Sequence, residues 1–116
     1  MNLATPVILC ESNDEFRFFV REMLMKHGFF HIMEASNPNE ATNLILSQKK
    51  ASFVIIQNEL LNESIIDSFV LSQKFIILGQ SNQTQTTMLA SRLGVKHFLN
   101  FPFSSQMLIK KMETIF

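Results

Sequence analysis

Five short apolar runs recur along the chain, separated by stretches with helical spacing. They are Val7 to Cys10, residues 29–35, residues 52–57, residues 74–79 and residues 96–100. In Val7, Ile8, Leu9, Cys10 and again in Phe53, Val54, Ile55, Ile56, consecutive side chains are apolar, not alternate ones. A strand with two apolar faces needs cover on both. That describes a parallel sheet between two layers of helices. Right-handed crossovers then leave a doubly wound, three-layer α/β/α sandwich. Ligands of such a sheet sit at the carboxyl ends of its strands. The residues there are Glu11 and Ser12, Gln57 and Asn58, Gly79 and Gln80, and Asn100 and Phe101.

The segments between the strands carry helix signals. Helix one has Phe16, Phe19, Val20, Met23, Leu24 and His27 as its inward stripe. Ser12 or Asn13 caps it, Asp14 and Glu15 suit the positive end of its dipole, and Gly28 stops it. Helix two opens on Asn37, Pro38 and Glu40, a cap, a first-turn proline and an acid three residues on. It buries Ala41, Leu44 and Ile45. Helix three carries Ile65, Ile66, Phe69 and Val70. Helix four runs from about Thr84 to Leu93, ahead of Gly94. Helix five starts at the Ser104 cap and carries Leu108, Ile109, Met112 and Ile115.

At 116 residues the whole chain, 1–116, reads as one domain with enough surface to bury an unaided core. No apolar run approaches the ~18 residues of a membrane span. The opening "MNLATPVILC" lacks the charged region and cleavage site of a signal peptide. A single cysteine, Cys10, forms no internal disulfide, which suits the cytoplasm. Its place inside a strand makes it an inert buried thiol. The formal net charge is zero, so neither nucleic acid nor an anionic membrane is an expected partner. His27, His31 and His97 share no ligand spacing with one another, a carboxylate or Cys10, so no metal site is expected. Three glycines build no phosphate loop, and no cofactor is expected.

"VILCESNDEFR" at 7–17, "FVIIQNELL" at 53–61 and "GVKHFLNFPF" at 94–103 together resemble a response-regulator receiver domain. The resemblance covers nearly the whole chain. It implies a flavodoxin-like sheet with strand order 2-1-3-4-5. In the family, two acids after strand one help bind Mg²⁺, and here Glu11 and Ser12 match them. The phosphoacceptor aspartate is matched by Gln57, the hydroxyl residue after strand four by Gly79, and the lysine before the proline by Phe101. The aromatic of strand five survives as Phe98. The resemblance therefore implies a degenerate pseudo-receiver, a protein-interaction module of two-component signalling and not an enzyme. An amide forms no acyl phosphate. Phosphoryl transfer to a carboxylate needs an ionised acceptor, a divalent cation and a cation on the transferred oxygens.

Two alternatives stay open on the sequence: phosphate accepted by Glu59 or Glu11, and a small ligand or flavin in the altered pocket. Glu11 itself reads as a solvated carboxylate beside a helix start. Two surfaces suit a protein partner. Phe18 and Met25 lie off the inward stripe of helix one. Arg92, Lys96, Lys110 and Lys111, with Phe98, make the helix four–strand five–helix five face modestly basic, since residues 83–116 hold only Glu113 as an acid. In the family that face serves output or homodimer contacts. The resemblance also implies a cis Phe101–Pro102 bond, with the Phe101 ring directed toward Gln57 and Gly79.

Overall fold

A computed structural model of the chain describes residues 2–47, 52–62, 65, 74–79, 88 and 97–115. Strands β1 (Val7–Cys10), β2 (Ile32–Ala35), β3 (Phe53–Gln57), β4 (Phe75–Gly79) and β5 (Phe98–Asn100) form one sheet. Every pairing is parallel and the order is β2-β1-β3-β4-β5. The flavodoxin-like arrangement expected from the sequence is the one found.

Helix α1 (Asp14–His27) follows β1, and α2 (Pro38–Ser47) follows β2. Helix α3 (Ser105–Ile115) follows β5 and is the fifth helix of the sequence pattern. Of helix three only Ile65 lies among the described residues, helical and buried. Of helix four only Met88 does. Ile66, Phe69, Val70 and Gly94 lie outside them, as do Arg92 and Lys96.

Strand alternation splits the core in two. Val7, Leu9, Phe53, Ile55, Ile76 and Leu78 face one side, where Val20 and Leu24 of α1 and Leu108, Ile109 and Met112 of α3 cover them. Ile8, Cys10, Val54, Ile56, Phe75 and Ile77 face the other, beneath Ala41 and Ile45 of α2 and Ile65. Each fully buried aliphatic or phenyl group contributes roughly 1.5–3 kcal/mol. Burial pushes the Cys10 thiol up to about 12, as an inert core thiol requires.

The caps form as the sequence indicates. Asn13 Oδ1 accepts the Phe16 N–H at 3.0 Å, and Gly28 closes α1 at φ 110°. Asn37 Oδ1 accepts the Glu40 N–H at 2.9 Å. The Glu40 carboxylate reaches one residue further back than a capping box demands, to the N–H and hydroxyl of Ser36. Those two bonds hold the Glu40 carboxyl below its ordinary range.

The inward stripe of α1 is narrower than its spacing indicates. Phe19 is 55% exposed and His27 is exposed, while Val20 and Leu24 are buried and Met23 packs partly buried against the same core. Strand β2 is also shorter than expected. Phe29 drops into the core and Phe30 turns outward, so pairing begins only near Ile32.

Candidate functional site

The carboxyl ends of β1 and β3 lie side by side, with Cys10 opposite Ile56. One residue beyond each register pair stand Glu11 and Gln57. Glu11 is fully buried, not solvated as its sequence position indicates. Its Oε2 accepts the Asn13 N–H at 2.8 Å, which folds the side chain back under the β1–α1 turn. Arg17, one turn into α1, donates to the Glu11 backbone carbonyl at 2.9 Å. The same guanidinium meets Asp14 at 2.7 Å and Glu34 of β2 at 3.3 Å. Glu11 Oε1 has no hydrogen-bond partner among the described residues. Burial raises the Glu11 carboxyl above its ordinary range. The N–H groups of Asn13 and Ser12 oppose that, Glu59 adds to it, and Arg17 opposes it.

Gln57 is 4% exposed at the neighbouring strand end. Its Oε1 accepts both the Ser12 N–H and the Ser12 hydroxyl, each at 2.8 Å. Its Nε2 points at Glu59 Oε2, at 3.4 Å. The amide thereby ties the end of β3 to the β1–α1 turn across a separation of 45 residues.

Gly79 ends β4, and its carbonyl accepts the Phe101 N–H at 2.9 Å. The Phe101–Pro102 bond is cis, as the resemblance implies. The ring of Phe101 packs among aromatics. It stacks on Phe16 in the first turn of α1, centroids 4.3 Å apart, and tilts against Phe103 at 4.7 Å. Gln57 is occupied by Ser12, and the aromatic neighbour the ring finds is Phe16. Sequence reading placed Phe16 only in the helix stripe. The pairing of two aromatics from distant β-α units carries no local signal.

Of the two surfaces named from sequence, Phe18 is 54% exposed and Met25 is half-buried. Phe19 joins Phe18 edge-on at 6.4 Å, so the exposed aromatic pair is 18 and 19. On the other surface Lys110 is exposed, and Lys111 Nζ sits 5.8 Å from the half-buried Phe98 ring. A groove of about 400 Å³ between β5 and α3 is lined by His97, Leu99, Met107, Lys110, Lys111 and Thr114. No described helix is long and apolar enough to cross a membrane.

No protein-family model and no curated protein matches this sequence. Solved structures do. Full-length FixJ from B. japonicum superposes with TM-score 0.77 at 15% identity, over 96% of this chain and 57% of FixJ. Chemotaxis protein CheY4 of Vibrio cholerae gives 0.76 at 16%, over 97% of this chain and 99% of that one. A putative response regulator from Chloroflexus aurantiacus J-10-fl gives 0.79 at 13%, over 97% of each chain. The chain has the receiver-domain fold. It spans little more than half of FixJ and nearly all of CheY4.

A receiver fold implies a divalent cation at this edge, and the residues present do not fit one. Mg²⁺ takes near-octahedral oxygen ligands, usually one or two carboxylates and several waters. Here Gln57 Oε1 already receives two hydrogens, and Glu11 is sealed from water. Among the described residues no three His, Cys, Asp or Glu side chains converge.

Proposed function

We propose that this chain is a phosphorylation-independent pseudo-receiver, a non-enzymatic protein-interaction module of two-component-type signalling that works in the cytoplasm. One observation carries the reading. The strand end that delivers the acceptor carboxylate in a receiver delivers here a neutral amide, with its oxygen committed to Ser12. Loss of the hydroxyl position at Gly79 and of the lysine position at Phe101 supports it. The module's partner is a protein, either a signalling protein or a second copy. Lys110, Lys111 and Phe98 form one contact face, and Phe18 with its neighbour Phe19 a second.

Incubation with a small acyl phosphate and Mg²⁺, read by intact mass, tests the reading. The expected result is no added phosphate. A Mg²⁺-dependent mass gain overturns it, and mapping to the exposed Glu59 would establish the alternative acceptor. For the contact face on α1, Phe18→Ala should shift stability by no more than about 0.5 kcal/mol. Leu24→Ala, from the buried stripe of the same helix, should cost ~2–5 kcal/mol. Denaturant melts of the two variants check this. A large loss at Phe18 would return that ring to the core.

A further inference from the structure

We infer that the Gln57 amide takes the place of the divalent cation in this receiver fold: a hydrogen-bonded clasp ties β3 to the β1–α1 turn, and clasp and cation exclude one another. The inference rests on the reading of Gln57 as a replacement that accepts no phosphate. A cation at this edge would have to collect oxygens from the ends of two adjacent strands. The central oxygen, Gln57 Oε1, instead takes the Ser12 N–H and the Ser12 hydroxyl at 2.8 Å each. An ion approaching it meets hydrogens. On the far side the amide presents Nε2 toward Glu59, so donors face that carboxylate too.

Glu11 does not supply the missing ligands. Its Oε2 is committed to the Asn13 N–H. Its Oε1 is unpartnered, but the residue has no exposed surface, which leaves no route for the hydration shell that Mg²⁺ retains. The orphaned oxygen marks a sealed carboxyl, not a half-built ion site. Both ends of the clasp belong to this chain, so the turn is held without any ligand. Two hydrogen bonds donated by Ser12 to one buried amide oxygen stand in for ion-mediated bridging with a fixed connection.

Paramagnetic Mn²⁺ with amide NMR tests this on the intact chain. In the native protein, Mn²⁺ should broaden the Ser12, Gln57 and Glu59 amides no more than surface amides elsewhere. It should leave Tm unchanged. Gln57→Ala should release the Ser12 amide, whose hydrogen exchange should become roughly tenfold faster. Ser12→Ala, at an exposed position, keeps the N–H bond and should raise that exchange only a few-fold. Replacing Ser12 and Gln57 together by aspartate removes the clasp and adds two carboxylates, so selective Mn²⁺ broadening and a rise in Tm should appear. Selective broadening in the native protein overturns the inference, as does unaltered Ser12 exchange in Gln57→Ala. Mn²⁺ binding without phosphate uptake would sink the clasp alone, whereas phosphate uptake would sink the functional reading.

Discussion

Replacing Glu11 with glutamine makes the protein more stable at neutral pH, because an amide has no charge to bury. The same change has little effect in acid. Burial raises the folded-state carboxyl above its ordinary value of 4.5. As pH rises past that value, the unfolded chain releases its proton while the folded protein keeps it. The native state then binds more protons than the unfolded one, so stability falls with rising pH until the folded carboxyl itself ionises. Glutamine carries no such proton. It keeps the shape and the acceptor for the Asn13 N–H. Urea denaturation of both proteins across a pH series measures the difference. The two curves should meet below pH ~4.5 and diverge above it. Parallel curves, or a native protein that gains stability relative to Glu11→Gln as pH rises, would show that the Glu11 charge is compensated after all.

That prediction turns on a feature the sequence does not display. Glu11 stands in "ESNDE", a polar stretch at a helix start, where a solvated carboxylate is the ordinary outcome. Its burial belongs to the folded turn, which Gln57 joins from 45 positions beyond Ser12. The strands and their carboxyl ends were legible because apolar runs and caps are local signals, and the strand order because the receiver resemblance implies it. Asn13, Asn37, Gly28 and Ser104 each do at their position what their chemistry indicates. What the receiver resemblance implies for Ser12, Gln57, Gly79 and Phe101 was legible along the chain as well. The contacts those residues make were not. Phe19 satisfies the helical period, yet the faces of α1 and α3 leave it outside. Phe101 occupies the lysine position, yet its partner is set by where α1 places Phe16.

Putting lysine at position 101, where the receiver resemblance would have it, should destabilise the protein by about 2–3 kcal/mol and restore no switch. The ring of Phe101 is sandwiched between Phe16 and Phe103, at centroid distances of 4.3 and 4.7 Å. Aromatic pairs of this kind contribute roughly 0.5–1.5 kcal/mol beyond their buried area. The half-buried ring also covers the α1–α3 core, which includes Leu99 and Phe103. A lysine stem can lie along that apolar surface and recover part of the loss. Its ammonium must then reach water, since the Glu11 carboxyl has no exposed surface to meet it. The charge therefore stays at the surface and does not pair with Glu11. Phe101→Leu, which keeps apolar cover but loses the stacking, should fall between native and Phe101→Lys. Urea denaturation ranks the three, and intact mass after acyl phosphate and Mg²⁺ treatment reads the switch. If Phe101→Lys matches the native protein, the aromatic stack is not what stabilises this turn. If it takes up phosphate, a carboxylate other than position 57 has been waiting for its lysine.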